Sequence, residues 1–347
     1  MMDLTQLGLA FPLIQAPMAG VQDSALTIAV TEAGGLGSLP CAMLSAEQLD
    51  AALRQIRQHT QGPYNVNFFC HMPPEYDAER DLLWRAALQP CYERFGLTLP
   101  TSTSQPSRQP FNDAMAEVLE AHKPAVVSFH FGLPAPALLK RVQRLGAQIW
   151  SSATTLDEAL WLEKQGADVI IAQGLEAGGH RGMFLSTDLK TQQRRMPLLR
   201  DVLANVKVPV VAAGGIATPE DVTEAMAAGA AGVQVGTAYL RSLEATTSPL
   251  HRAALSSSAA QMTALTNLYS GRPARGLVTE LMNDLGAMSA IVPPFPLASN
   301  ALAPLRQAAE AQGVADFSPL WAGERAPECR EASAAEITAF LAQGFVV

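Results

Sequence analysis

Eight short apolar, β-branched runs recur along this chain, and their rhythm limits its possible folds more than any other feature. They lie at Leu13–Met18, Leu36–Leu39, Tyr64–Phe69, Ala125–Phe131, Gln148–Ser152, Val169–Gln173, Pro209–Ala213 and Gly232–Val235. Between most of them the apolar spacing is helical, most clearly at Ala46–Gln58, Ala135–Leu145, Thr155–Gln165 and Pro219–Ala228. The last of these has a well-marked start and stop. Thr218 caps it, Pro219 occupies the first helical position, Glu220 and Asp221 favour the positive end of the dipole, and Gly229 ends it. Strands alternating with helices imply a parallel sheet, and eight such units predict an α/β fold of the closed (β/α)8 TIM-barrel type. A doubly wound open sheet would want Gly-x-Gly-x-x-Gly after its first strand. Here that strand ends Ala16-Pro17-Met18-Ala19-Gly20-Val21.

Two stretches break the repeat. Residues 70–123 form an insertion after the third strand, with a Pro/Ser/Thr-rich loop, Leu99–Pro110, and an expected helix from about Asn112 to Ala121. The chain beyond the eighth strand reads as a helix-rich extension. It carries Ser270-Gly271-Arg272-Pro273-Ala274-Arg275 and a Pro-rich turn at Pro293–Pro296. The expected division is a barrel over residues 1–240 and a helical C-terminal extension over 241–347 that packs on the barrel and closes its pocket. Insertions after barrel strands emerge at the catalytic face, so both stretches are candidates for a lid or side wall.

Composition narrows the function. Apolar residues make up 48% of the 347 and charged residues 16%, which supplies a large core. A net charge of −8 with no basic tract argues against nucleic acid as a partner. No apolar run is long enough to span a membrane. The start has no basic n-region, and the four cysteines, Cys41, Cys70, Cys91 and Cys329, form no Cys-x-x-Cys pair. A reduced, cytoplasmic protein is expected. His59, His71, His122 and His251 show no metal spacing, so no catalytic metal is expected. No Gly-x-Ser-x-Gly elbow and no cysteine in a nucleophile setting supports a hydrolase.

The segment richest in chemistry follows the sixth strand: Gln173-Gly174-Leu175-Glu176-Ala177-Gly178-Gly179-His180-Arg181-Gly182. Gly178 and Gly179 let the backbone approach a ligand or adopt positive φ. His180 then projects from a loop at the catalytic face, where it can donate a hydrogen bond or exchange a proton. The seventh and eighth strands end in Gly214-Gly215 and in Gln234-Val235-Gly236-Thr237. Bare N–H groups at Gly215, Gly236 and Thr237 can cradle a phosphate, and barrels of this type build phosphate sites there. A phosphate alone does not say which ligand. Ala16, Pro17 and Met18 offer a flat apolar floor for a ring, or plain packing. Asn65 and Asn67 share one face of their strand, where an amide could read the polar edge of a ring. His130 either lines the pocket or is a buried structural histidine.

Pro12–Val21, Ser128–Pro134, Gln173–Gly182 and Ala212–Thr237 together resemble nitronate monooxygenases, formerly called 2-nitropropane dioxygenases. Pro110-Phe111-Asn112 and Leu320-Trp321-Ala322-Gly323 look like the bacterial class I branch. The resemblance runs along nearly the whole chain. It implies a barrel holding FMN on Ala16, Pro17 and Met18, with FMN contacts at Asn67, Gln173, Gly178, Gly215, Gln234, Val235, Gly236 and Thr237, and His180 as the catalytic histidine. It implies oxidation of alkyl nitronates such as propionate 3-nitronate by O2 to carbonyl compounds and nitrite or nitrate, through a flavin semiquinone, as a detoxification. Arg181, Arg272 or Arg275 could supply positive potential for the anion; Arg272 and Arg275 could equally tether the tail. One departure is that the wall after Pro293-Pro294 reads Phe295-Pro296-Leu297-Ala298-Ser299-Asn300, with no lysine. A carboxylate-bearing substrate is therefore expected to bind less well. The rival readings are an FMN-dependent NAD(P)H:quinone or enoyl-acyl carrier protein reductase, and a flavin-binding protein without turnover. The expected partners are a small nitronate and O2, in a monomer or homodimer.

Overall fold

The computed structural model describes residues 4–101 and 108–345, so half of the Leu99–Pro110 loop, residues 102–107, lies outside the described residues. Its strands are β1 (Leu13–Gln15), β2 (Gly37–Pro40), β3 (Tyr64–Phe69), β4 (Val126–His130), β5 (Gln148–Ala153), β6 (Val169–Gln173), β7 (Gly179–His180), β8 (Val210–Ala213), β9 (Gly232–Val235), β10 (Thr263–Thr266) and β11 (Ala274–Leu277). Eight of them, all parallel, run in the order β1-β9-β8-β6-β5-β4-β3-β2. The sheet closes where Ile14 bridges to Leu36, and the Gln15 N–H donates to the Leu36 carbonyl at 3.0 Å. These eight are the runs read from the sequence, and the fold is a (β/α)8 TIM barrel. The four clearest helices form as expected, at Ala46–His59, Pro136–Gln143, Leu156–Gln165 and Pro219–Ala227. Thr218 caps the last by accepting from the Asp221 N–H, in a capping box with the Asp221 side chain.

The period of two along each strand sorts the core into layers. Tyr64, Val66 and Phe68 on β3, or Val233 and Val235 on β9, pack outward with buried residues of the surrounding helices. Ile14, Val126, Trp150, Val169, Ile171 and Val211 form a separate cluster with Leu4 and Leu36, plugging the barrel interior. Each such fully buried side chain stabilises the fold by roughly 1.5–3 kcal/mol. Further along the same inward faces, Asn67, Phe69, His130, Ser152, Gln173, Ala213 and Gln234 surround an open cavity.

The insertion and the tail pack against each other. The insertion holds the expected helix, at Asp113–His122, and a second that the sequence reading lacks, at Ala78–Arg94. The latter carries Pro90 and leaves Leu82 and Leu83 exposed, so its apolar residues make no clean stripe. Its Trp84, Leu88 and Tyr92 pack on Ala298, Ala301, Leu302 and Leu305 of the tail helix Ala298–Ala311. Trp84 donates to the Ala298 carbonyl at 3.2 Å and Tyr92 to the Ala301 carbonyl at 2.6 Å. Nor is the tail wholly helical. Its β10 and β11 form an antiparallel pair, and β11 continues onto β7 with Ala274 opposite His180. That small sheet ties the tail to the loop after β6.

Candidate active site

The cavity opens at the carboxyl ends of the barrel strands. Its empty space, open mouth and adjoining solvent included, is about 1270 Å³. One side is a glycine cradle. Gly214 and Gly215 follow β8 with φ of 103° and 64°, values that only glycine adopts cheaply. Arg195, buried behind them, donates to both of their carbonyls, at 3.3 and 2.9 Å, and is itself held by Glu224 at 2.6 Å. With the carbonyls taken from behind, Gly214 and Gly215 donate no backbone hydrogen bond among the described residues, and neither does Gly236. At Gly236 a Cβ would lie 3.4 Å from the Ala16 Cβ and 3.6 Å from the Met18 sulfur. A side chain there would fill the space between the cradle and the apolar floor. The Gln234 Oε1 beside it is buried without a hydrogen-bond partner, and a buried amide oxygen of that kind ordinarily finds a donor.

The same cavity is lined by His180, half-buried on β7. The rings of Phe69, Phe131, Phe295 and Trp321 lie 5.4–6.1 Å from its own, centroid to centroid. Its Nε2 is 2.8 Å from the Ser270 hydroxyl. Its carbonyl accepts from Gln173 at 3.0 Å and from the His130 Nε2 at 3.2 Å. Burial pushes the His180 pKa well below the ordinary value, and Arg108, His130, Arg272 and His71 press it the same way. His180 is therefore a neutral imidazole, and the charge change that the sequence allowed for it does not occur near neutral pH. His130 is pushed down to about 3, mainly by burial. Neutral, and donating to the His180 carbonyl, its Nδ1 accepts from the Ser152 hydroxyl at 3.0 Å. It both lines the cavity and supports the loop.

Of the residues picked out from the sequence, Ala16, Pro17, Met18, Asn67, Gln173, Gly178, His180, Gly215, Gln234, Gly236 and Thr237 come together around this one cavity. Val235 does not join them. Period two turns its side chain into the strand–helix core, and only its carbonyl takes part locally, accepting from the Ala16 N–H at 2.8 Å. Gln173 lines the cavity with a side chain already engaged at both ends, by the His180 carbonyl and by the Gly182 N–H at 2.7 Å. Gly178 is small for the sake of the tail, since a Cβ there would come within 2.5 Å of the Gly323 nitrogen. Asn65 points to Ser38, not to the cavity.

The arginines divide differently from the sequence reading. Arg181 is fully buried and clamps its own loop, donating to Gly174 O, Gln173 O and Gln192 Oε1 at 2.6, 2.7 and 2.9 Å. Arg275 is a tether, donating to Leu175 O at 3.0 Å and pairing with Glu324 at 3.3 Å. Arg272 also tethers, through the Met183 carbonyl, while its guanidinium lies 3.9 Å over the Phe131 ring beside His180. Two further cations line the cavity. Arg325, beside Gly215, is paired with Asp221 and Glu328 at 3.5 and 3.2 Å. Arg108 comes from the insertion. Neither belongs to a motif, so only the packing of insertion and tail reveals them. Trp321 was visible, in Leu320–Gly323.

A family model described as nitronate monooxygenase matches residues 2–344. A nitronate monooxygenase of Pseudomonas aeruginosa is 39% identical over 341 residues, covering 97% of each chain. One of Paraburkholderia phytofirmans is also 39% identical, covering 97% of this chain and 93% of its own. Among solved structures, a nitroalkane oxidase from Streptomyces ansochromogenes superposes with a TM-score of 0.89 at 36% identity, covering 98% of this chain and 96% of its own. FabK from Thermotoga maritima shares the fold, with a TM-score of 0.74 at 24% identity, covering 99% and 96%.

Proposed function

The chain belongs to the nitronate monooxygenase family of flavin-dependent oxidoreductases, and on that premise we propose that it holds FMN and oxidises alkyl nitronates with O2 to carbonyl compounds and nitrite or nitrate. The observation that carries this reading is that the glycine cradle and His180 line one cavity. Ala16, Pro17, Met18 and His180 line the cavity that a ligand held at the cradle by its phosphate would occupy. The residues suit such a ligand. Gly215, Gly236 and Thr237 offer backbone donors to a phosphate. The unpaired Gln234 oxygen can accept from a ring N–H, and Asn67 lies at the same level of the barrel.

Bound there, a flavin would supply the electron-accepting chemistry that oxidation of a nitronate needs. The protein's part is binding and orientation. A nitronate is an anion, and the arginines whose charge acts on His180 are Arg108 and Arg272. They favour its entry, while the aromatic walls exclude water and strengthen each polar contact inside. His180, neutral and held from both sides, presents a fixed polar group to the nitro oxygens or the reacting carbon without adding a mobile charge.

Oxygen uptake under air tests the reading. Rapid uptake with ethylnitronate or propionate 3-nitronate, and only slow anaerobic bleaching of the flavin by NADH or NADPH, are expected. Fast bleaching by NADH without nitronate turnover would move the chain to the reductase reading. A bound flavin with neither reaction would make it a binding protein. Denaturation should release FMN; release of FAD would overturn the cofactor.

A further inference from the structure

Among the described residues two cations line the cavity, and they stand at different parts of it. Arg108 lies over the Phe295 ring, which also packs on His180. Arg325 belongs to the glycine cradle, where a Cβ on Gly215 would come 4.0 Å from its Cγ. The tail is fastened to the cradle on both sides of Arg325. The Gly323 N–H donates to the Thr237 hydroxyl at 2.9 Å, and the Cys329 thiol donates to the Thr237 carbonyl at 3.0 Å. The other charged groups at the cradle are acidic or already engaged. Arg195 is held by two carbonyls and Glu224. Glu176 would touch a Cβ on Gly215, and Asp221 caps the helix Pro219–Ala227 by accepting from the Ala217 and Thr218 N–H groups at 2.9 and 3.0 Å. A phosphomonoester carries a charge of about −2 near neutral pH. Beside these carboxylates, backbone donors alone leave that charge poorly balanced.

Arg325 is held loosely by its own partners. Its Nε lies 3.2 Å from the Glu328 Oε1 and its Nη2 3.5 Å from the Asp221 Oδ2. The Nε of Arg325 and the Oε2 of Glu328 are nonetheless buried without a hydrogen-bond partner. The pair has the distance of an ion pair without the alignment of a hydrogen bond, and a part-exposed pair of that kind contributes little. We propose that Arg325 and Glu328 form an exchangeable latch at the cradle: Glu328 and the cofactor phosphate compete for the Arg325 guanidinium, so that a flavin with a phosphate, and not one without, fastens the tail to the barrel. This rests on the FMN reading above. Asp221 stays in its cap, while the guanidinium fork, matched to phosphate oxygens, exchanges the Glu328 carboxylate for the stronger anion. The latch reaches the catalytic end of the cavity, because Trp321, two residues before Gly323, packs on the His180 ring at 5.5 Å.

The test titrates FMN and riboflavin into the full-length chain, stripped of flavin, and follows flavin fluorescence. Arg325→Gln should weaken FMN roughly 10- to 100-fold, the usual weight of a charged hydrogen bond, and leave riboflavin nearly unchanged. Glu328→Gln should act in the opposite direction, tightening FMN a few-fold with riboflavin again unchanged. In the double variant that gain should vanish, since the competition runs through Arg325. Equal weakening of both flavins by Arg325→Gln would make it a structural tie of the tail. FMN that is no tighter in Glu328→Gln, or a gain that survives without Arg325, would likewise overturn the latch. Amide hydrogen exchange over residues 321–329 gives a second readout. FMN should slow it more than riboflavin does in wild type, and no more than riboflavin in Arg325→Gln; equal slowing in wild type also overturns the latch. If wild type prefers FMN to riboflavin but Arg325→Gln keeps that preference, the latch alone fails. If wild type binds the two flavins equally, the phosphate reading of the cradle fails and takes the latch with it.

Discussion

The Nε2 of His180 lies 2.8 Å from the hydroxyl of Ser270, 90 residues further along the chain. Ser270 is itself buried, in the turn that leads into β11, and the Arg181 N–H donates to the Pro273 carbonyl at 2.9 Å. The tail thus grips the histidine twice, by backbone pairing and by a side-chain hydrogen bond. In a neutral imidazole only one nitrogen carries hydrogen, so this hydroxyl helps decide which nitrogen donates.

Removing that hydroxyl should loosen the ring without dismantling the loop. In Ser270→Ala the β7–β11 pairing remains, so cofactor content should hold while kcat falls roughly tenfold, the weight of about one oriented hydrogen bond. Ser270→Thr, which keeps the hydroxyl, should retain most of the rate. Steady-state kinetics beside flavin absorbance decide it. A parallel loss of flavin and rate would mean that Ser270 merely supports the fold.

His180→Asn should keep the cofactor and lower kcat/KM for nitronates about 30- to 1000-fold, the range for losing one polar contact in a transition state. Unchanged kinetics would make His180 structural. Because His180 is held neutral, wild-type kcat/KM should also show no inflection of an ordinary histidine near pH 6.5. Finding one would contradict its neutral environment.

The two glycines of the cradle should respond differently to valine. Gly215 has a φ of 64°, and a Cβ there would meet Glu176 at 2.9 Å, so Gly215→Val should lower both Tm and flavin affinity. Gly236 has a φ of −112°, open to any residue, and its Cβ would meet nothing closer than 3.4 Å. Gly236→Val should therefore leave Tm nearly unchanged and weaken FMN more than riboflavin. Equal weakening of the two, measured by fluorescence titration, would remove the phosphate from this turn.

Acid should destabilise the protein through its buried histidines. Burial lowers His71 and His251 to about 4 and His130 to about 3. Below the ordinary histidine pKa the unfolded chain binds protons that the fold refuses, so stability rises with pH across that window and levels off above it. From pH 6.5 down to about 5, each such group can remove up to about 2 kcal/mol. His251 lies outside the catalytic cavity, so His251→Asn is the clean probe. Its Tm should fall less than that of wild type between pH 7 and 5. An identical fall would mean that His251 is not held neutral.

The barrel was legible because its signals are local. The period of two in Tyr64–Phe69 and the capped helix after Thr218 depend on neighbours within a few residues, so they survive in a sequence read alone. The glycine turns and the run ending in His180 were legible for the same reason, each lying within ten residues of one strand end. The helix at Ala78–Arg94 was not, because its buried side, Trp84, Leu88 and Tyr92, is defined by the tail it packs on rather than by a stripe of its own.

What the sequence by itself determined, then, is the eight-stranded frame and the cavity-facing position of His180 and the two glycine turns. Tertiary structure alone decided what surrounds them. It placed Ser270 on the imidazole and brought Arg108 across from the insertion. Each of these joins residues tens of positions apart through side-chain direction and packing, and no local spacing records such a meeting. Neutrality at His180 has the same origin, since burial and distant arginines set its pKa.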